Sequence, residues 1–511
     1  MSPKRDTRRS ARAAETQSDA LQAQARTQVP QGGTPSGPDT SRPFPSGPSL
    51  ASLGPLQTTS YSHQSPHVLT PDPKTLKLPP RPPPAGELPA PLDFLTPSKF
   101  KGIFPLSTNS IENFPPAQIE QDALSTRVVL HPRMPLLLDV FLQHKRAHGS
   151  DHEKHLYHTM TWPQLATRMI EKRPLCFLQS NDRTRLRNNR WIGAQHAEWD
   201  RVGTHAQHLN THLTLDAYLS YDEIMLSSLL AASGPSFFIN SGNRANHGVP
   251  AHAGVAHEQR GIMVGLVGPR FERDAQHDSA IICRPQRPGR AVDGRMDPRV
   301  RRIVQQWLLP GVDLDARRDE RYVFGDFDEE MYKARLRVSF DLLLLEAEAR
   351  ARAAGRDAVV HVVGLGLGVW RMHSAQNRWY VEAFAESLRE LDLECISVVE
   401  FGWISEVPPA TKEAVREAAR ENVIDVRFTQ ADPCRKLVGE DEGKLLIVTW
   451  AWDGNSYVGN EYWNQSLSAS GDPAAVCFST IGELMNPDIN PFAHRVMVVG
   501  VGNEEESLPV G

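Results

Sequence analysis

From residue 329 onward, apolar positions fall into blocks of helical spacing separated by short continuous runs. Residues 329–354 carry a long helical pattern, with Asp326 or Asp328 placed to cap its start and Gly355 to end it. Arg350, Arg352 and Arg356 complement the negative end of its dipole. Runs at 358–363, 394–401, 423–428 and 444–450 read as strands, with helices expected over 376–391 and 410–420 between them. A helix over 473–485 and a strand over 496–499 close the pattern. Upstream, 215–232 predicts a helix with a broad apolar face at Leu219, Ile224, Leu226, Leu229 and Leu230. Strands are expected at 236–240 and 261–268, a helix around 300–309, and a short buried helix at 136–142. Strands alternating with helices predict an α/β fold, a mostly parallel mixed sheet covered on both faces as a three-layer α/β/α sandwich.

The first 120 residues break this pattern. More than half of the 40 prolines lie there among Ser, Thr, Gln and Gly, so the segment buries too little apolar surface to offset its ordering entropy. A disordered leader is therefore expected over 1–120, with Pro79 to Pro84 as a polyproline spacer or an SH3-type ligand. Residues 121–215 read as a helical and irregular extension packed on the core, and 216–505 as the main α/β domain. A net charge of -5 and a pI near 6.4 speak against nucleic-acid and membrane partners. No run approaches the roughly 18 apolar residues of a membrane span. Five scattered cysteines without a C-x-x-C pair fit a reducing, cytoplasmic compartment. The leader also suits a bacterial effector delivered into a host cell. His152 with His155, and His205, His208 and His212, lack acidic or cysteine partners at metal-site spacing, so no metal is expected.

Three loops carry candidate chemistry. Gly364, Leu365, Gly366, Leu367, Gly368, Val369 and Trp370 follow a strand, and the glycines let backbone N–H groups approach a phosphate. A tight structural turn would use the same glycines. Asn240, Gly242, Asn243 and Asn246 lie in a second strand-end loop, where the amides suit either ribose hydroxyls or turn geometry. The third, Asp453 to Glu461, sets two acids beside Asn455, Ser456, Gly459 and Asn460, among Trp450, Trp452, Tyr457, Tyr462 and Trp463. Aromatic walls exclude water and strengthen whatever electrostatics the carboxylates supply.

At these loops, over roughly 190–505, the chain resembles macrodomain-type ADP-ribosylhydrolases, and among them the MavL-like arginine-specific class. Ser470 to Pro473 shares in the likeness. The resemblance implies a macrodomain-like domain that binds ADP-ribose and removes mono-ADP-ribose from arginine on a modified protein, with ubiquitin a candidate target and no cofactor. It implies that Asp453 is catalytic with Glu461 assisting, that 240–246 lies near the distal ribose, and that 364–370 binds the diphosphate. The Gly-Gly-Gly and Gln-Glu-Glu signature of poly(ADP-ribose) glycohydrolases is absent, which speaks against polymer cleavage. Two rivals stay open. A Rossmann-like S-adenosylmethionine methyltransferase would use Gly364 to Gly368, with Glu400 on ribose hydroxyls and Asp432 on adenine. A reader module would bind ADP-ribose without cleaving it.

Overall fold

The computed structural model describes residues 109–500, apart from 179–182, 194–197, 244–247, 272, 274, 285–295, 317–321, 323–324, 465–480 and 494. In chain order its strands are β1 (Arg127–Leu130), β2 (Cys176–Leu178), β3 (Arg183–Arg185), β4 (Trp191–Ile192), β5 (Ala231–Phe237) and β6 (Arg260–Leu266). They continue with β7 (Ala358–Val362), β8 (Ile396–Gly402), β9 (Asp425–Thr429), β10 (Leu445–Ala451) and β11 (Val496–Val498). Among the described residues, eight of these form one sheet in the order β11-β1-β5-β6-β10-β7-β8-β9, and β2-β3-β4 form a small antiparallel sheet. In the large sheet β5 runs antiparallel to both neighbours, whereas the other pairings are parallel. The carboxyl ends of β6, β10, β7, β8 and β9 thus share one edge.

The central strands β7 and β10 are mostly apolar and almost wholly buried, as parallel strands must be when other elements cover both sides. One face is covered by helices. Asp328 starts the long helix Glu329–Ala354 by accepting the Met331 N–H, and Gly355 ends it in left-handed conformation (φ 60°). Phe340 of that helix meets Phe384 of helix Gln376–Glu390, and Phe384 meets Phe401 of β8 edge-on, with ring centroids 5.0 Å apart. Side chains alternate along a strand, so Glu400 points to the other face, where it meets His361 of β7.

Several expected elements hold: helices Pro298–Leu308, Gln376–Glu390 and Pro409–Ala418 and strands β6 to β11 lie within a few residues of their predicted places. Others need correction. Helix 215–232 shrinks to Tyr221–Ser227, and Ala231 and Ala232 open β5. From Tyr218 to Ala232 this run is buried throughout, so its periodicity could not tell helix from strand. The strand expected at 236–240 accordingly ends at Phe237. Residues 121–215 are not simply an extension, because they supply β1 to the large sheet between β11 and β5. Order also reaches further back than expected, with helix Pro116–Ser125 preceding β1. Of the helix expected over 473–485, Ile481–Leu484 is described and the rest lies outside the described residues, as do Ser470 to Pro473.

Helix Ile481–Leu484 holds the start of the described chain. Glu483 accepts the Ile111 N–H at 2.7 Å and the Ser110 hydroxyl at 3.4 Å within a small apolar cluster containing Tyr457 and Trp463. Burial pushes its carboxyl up from 4.5 to about 7, against the lowering effect of the Ile111 hydrogen bond. A raised folded-state pKa means stability that is full below about 4.5 and lost as pH rises through about 7. Glu483→Gln should therefore be more stable than the parent at pH 8, by ~1–3 kcal/mol. Denaturant titrations at pH 5 and pH 8 should show the parent's pH dependence shrinking in the variant; an unchanged difference would remove Glu483 as its source.

Candidate active site

The turn that leaves β6 organises the shared edge. Trp452, one residue beyond β10, donates its N–H to Leu266 O at 2.9 Å. Gly454 packs on Val267 so closely that a Cβ there would stand 2.9 Å from the valine methyl. A Cβ on Gly268 would drive into the Gly366 backbone, and one on Gly366 (φ 73°) would stand 2.9 Å from Pro269 O. The exits of β6, β10 and β7 are thus locked together backbone to backbone, which explains why glycine occupies these positions.

The same turn delivers an arginine that motif reading overlooked. Arg270 Nη1 meets Asp453 Oδ1 at 3.2 Å, and its guanidinium lies over Phe177 and Trp370 at 5.2 and 5.4 Å from the ring centroids. Both partners of the ion pair are largely buried. Asp453 Oδ2 accepts the Ser456 hydroxyl at 3.3 Å, and that hydroxyl oxygen accepts the Phe177 N–H at 2.6 Å, which ties the small sheet to the acid. Below them Arg173 is fully buried, stacked 4.1 Å from Trp452 and donating to the carbonyls of Gly454 and Ser456. Burial lowers its pKa to about 9, and the Asp453 charge works in the opposite direction. His277, on the same loop as Arg270, is driven well below its usual value by burial and then by Arg270 and Arg273, so it is neutral at physiological pH.

Glu461 lies in the first turn of the short helix Asn460–Asn464. The buried Cys176 thiol, which donates to Asn460 O at 3.4 Å, is pushed up by burial; Arg185 opposes this, while Glu461 and Asp453 add to it. Both acids therefore lie within electrostatic reach of one sulfur. Asn455 is 1% exposed, and neither its Nδ2 nor its Oδ1 has a hydrogen-bond partner among the described residues. Asn460 Oδ1 is in the same condition. Buried amides without partners are rare and point to a ligand or an ordered water. Ser456 and Gly459 serve the loop's structure: Ser456 through its hydrogen bonds, and Gly459 by its left-handed φ of 83° and its packing on Gly482.

The 364–370 loop joins this site. Leu365 is buried and Leu367 half-buried, so the loop offers mainly backbone, whereas Val369 is 93% exposed. Helix Gln376–Glu390 begins beyond residues 371–375, so its N-terminus does not follow directly from the glycines. The asparagine loop sits elsewhere. Because β5 is antiparallel, Phe237 pairs with Arg260 and the chain leaves at the opposite edge of the sheet. The loop is then anchored to the β9–β10 connection, with Ser241 Oγ donating to Asp432 at 2.7 Å and Ser241 O accepting from Cys434. Asn240 accepts the Gly242 N–H in a local turn, Asn243 is exposed, and Asn246 lies outside the described residues. Among the described residues no cluster of three or more His, Cys, Asp or Glu is arranged to hold a metal, and no helix is long and apolar enough to cross a membrane.

The family model of MavL-like ADP-ribosylhydrolases matches residues 94–501. The chain belongs to this family. Two relatives from Drosophila melanogaster, both named ADP-ribosylarginine hydrolase, are similar to it. One is 36% identical over 407 residues, covering 73% of this chain and 77% of the relative; the other is 32% identical over 408 residues, covering 73% and 78%. Membership makes the protein an ADP-ribosylhydrolase, and the matched span takes in the whole edge built around the β6 turn.

The contact between the two glycines can be tested in this family member directly. Gly268→Ala must push the β7 exit away from the β6 turn, since the obstacle is backbone. Thermal unfolding should show a loss of ~1–3 kcal/mol, as for other overpacked sites. An unchanged melting temperature would mean that the two exits are not locked in this way.

Proposed function

We propose that this protein hydrolyses the N-glycosidic bond between ADP-ribose and an arginine side chain of a modified protein, in a macrodomain-like α/β domain that holds ADP-ribose across its strand-end loops. The observation that carries this reading is the meeting of Asp453, Arg270 and the 364–370 backbone at one sheet edge. In this scheme the backbone N–H groups of 364–370 take the diphosphate, and Arg270, already between that loop and Asp453, supplies the cation next to it. The distal ribose lies over the 453–461 loop, where the buried amides of Asn455 and Asn460 bond its hydroxyls. Asp453 acts where charge develops. As the C1″–N bond lengthens, the ribose becomes oxocarbenium-like, and a carboxylate held in a dry aromatic pocket stabilises it and orients the attacking water. Water delivers its hydroxyl to C1″ and its remaining proton to the departing guanidine, with Glu461 assisting. The relatives' printed names support arginine as the linkage.

The methyltransferase reading loses its key residue. Glu400 was to hold ribose hydroxyls, yet one of its oxygens meets His361 Nδ1 at 3.0 Å and the other accepts from Arg435 at 2.7 Å. Against the upward push of burial, these two partners pull its carboxyl down to about 2. Its role is to bind three elements together.

Asp453→Asn keeps the size of the side chain and removes the charge. Its turnover of arginine-ADP-ribosylated protein, with modified ubiquitin as one substrate, should fall ~10²–10⁴-fold, the usual contribution of positioned acid–base groups. ADP-ribose should still bind by calorimetry. Near-parental turnover would remove Asp453 from the mechanism, and absence of turnover in the parent, with binding intact, would favour the reader.

A further inference from the structure

Beyond the ribose and diphosphate positions, one aromatic residue at this edge has no role assigned. Trp403 follows directly on β8 and is 55% exposed. Its backbone adopts φ 60°, a left-handed conformation that costs a bulky residue free energy and points to a functional constraint where it persists. The residue is held firmly. Its N–H donates to Thr429 O at 2.9 Å, its indole Nε1 donates to Ala431 O at 3.2 Å, and the loop behind it is tied by Asn377 Nδ2 to Ser405 O at 2.7 Å. Arg371 and Glu406 pair at 3.3 Å, linking this loop to the one that carries Gly364 to Trp370. Among the described residues no ring or cation stacks on the indole faces, whereas Trp370 is already turned toward Arg270.

Position says what such a face would take. The sheet order β10-β7-β8 sets Asp453, the glycine loop and Trp403 at three successive strand exits. Adjacent strands are ~4.8 Å apart, so a linear ligand along the edge meets them in that order. With the distal ribose at Asp453 and the diphosphate at 364–370, the remaining part reaches the β8 exit, and that part is the adenosine.

We propose that Trp403 is the base-stacking platform of an adenosine subsite, its indole anchored through Nε1 and its strained backbone presenting the ring to the adenine face. This rests on the ADP-ribose reading above and extends it. Asp432, next to Ala431 in sequence, accepts the Ser241 hydroxyl, which ties the asparagine loop to the connection that anchors the indole. A protein-docking role for the same exposed ring is the competing assignment.

The test is calorimetric titration of the full-length parent, Trp403→Ala and Trp403→Phe with ADP-ribose, ADP and ribose 5-phosphate, with kinetics on arginine-ADP-ribosylated protein. If the parent fails to bind ADP-ribose, the functional reading itself fails, independently of Trp403. Given binding, Trp403→Ala should weaken ADP-ribose and ADP by about tenfold to a hundredfold, the range found when base-stacking aromatics are removed. Ribose 5-phosphate should bind equally to all three forms, and Trp403→Phe should stay within about threefold of the parent because it keeps an aromatic face. Matching melting temperatures would exclude a folding defect, as expected for a half-exposed ring. Unchanged ADP-ribose and ADP affinities in Trp403→Ala would overturn the proposal, and a raised KM for the protein substrate alongside them would reassign the ring to docking.

Discussion

The candidate site depends on a buried guanidinium behind it. Arg335, in the long helix Glu329–Ala354, is fully buried and donates to Asp278 Oδ1 at 2.8 Å, Ser228 O at 2.9 Å and Val267 O at 3.1 Å. The second oxygen of Asp278 accepts the backbone N–H of Arg270 at 2.8 Å. One charge pair thus fixes both ends of the β6 turn, at Val267 and at Arg270, against the helical layer. Such pairs add little net stability over an apolar replacement, but losing one partner leaves the other charge buried, at a cost of ~3–5 kcal/mol. Their value here is positional. The turn that Arg335 holds is the turn on which Gly454 and Gly366 pack.

That arrangement sets the electrostatics of the edge. Two buried guanidinium groups approach Asp453 from different directions, Arg270 in direct contact and Arg173 through the carbonyls of its own turn. Arg173 spends its donors on backbone carbonyls and stacks on Trp452, so it organises the turn and leaves the carboxylate to Arg270 and Ser456. Phe177, Trp370 and Trp452 surround the charges. A carboxylate so placed interacts with a developing positive charge more strongly than it would in water.

Much of this was legible in the sequence where local rules decide. Asp328 and Gly355 marked the ends of the long helix because capping is a contact between near neighbours, and the apolar runs marked β6, β7, β8 and β10 because interior parallel strands bury both faces. The acids of the 453–461 loop stood out by their density. What stayed hidden depends on contacts between distant positions. Arg270 follows a strand in a turn of ordinary appearance and gains meaning only from Asp453, 183 residues on, and from Trp370. A Gly-Pro-Arg turn directly after an apolar strand was a signal available to motif reading. The direction of β5 carries no local mark, and the continuously buried run 221–236 concealed its start. Trp403 gave no sign either, since a positive φ at tryptophan cannot be read from residue type.

The reversal of β5 has a consequence for the shape of the site. Were β5 parallel, its exit loop would join the carboxyl edge beside β6 and crowd the space next to Asp453. Being antiparallel, it turns away at Phe237, and its loop is gathered by Asp432 and Cys434 near the far end of the strand order. The connection that gathers it also sends Arg435 to Glu400, which in turn holds His361 in the middle of the sheet. A charge-assisted network of this kind couples its members, so the asparagine loop, β8 and β7 are tied together. The two ends of the edge are therefore built by separate arginine–carboxylate contacts, the buried Arg335–Asp278 pair behind Asp453 and the half-buried Arg435–Glu400 pair behind the β8 exit, and the 364–370 backbone spans the interval between them. That division lets loop chemistry at one end change without disturbing the other, the arrangement expected of a cleft that holds a long ligand at two separate points.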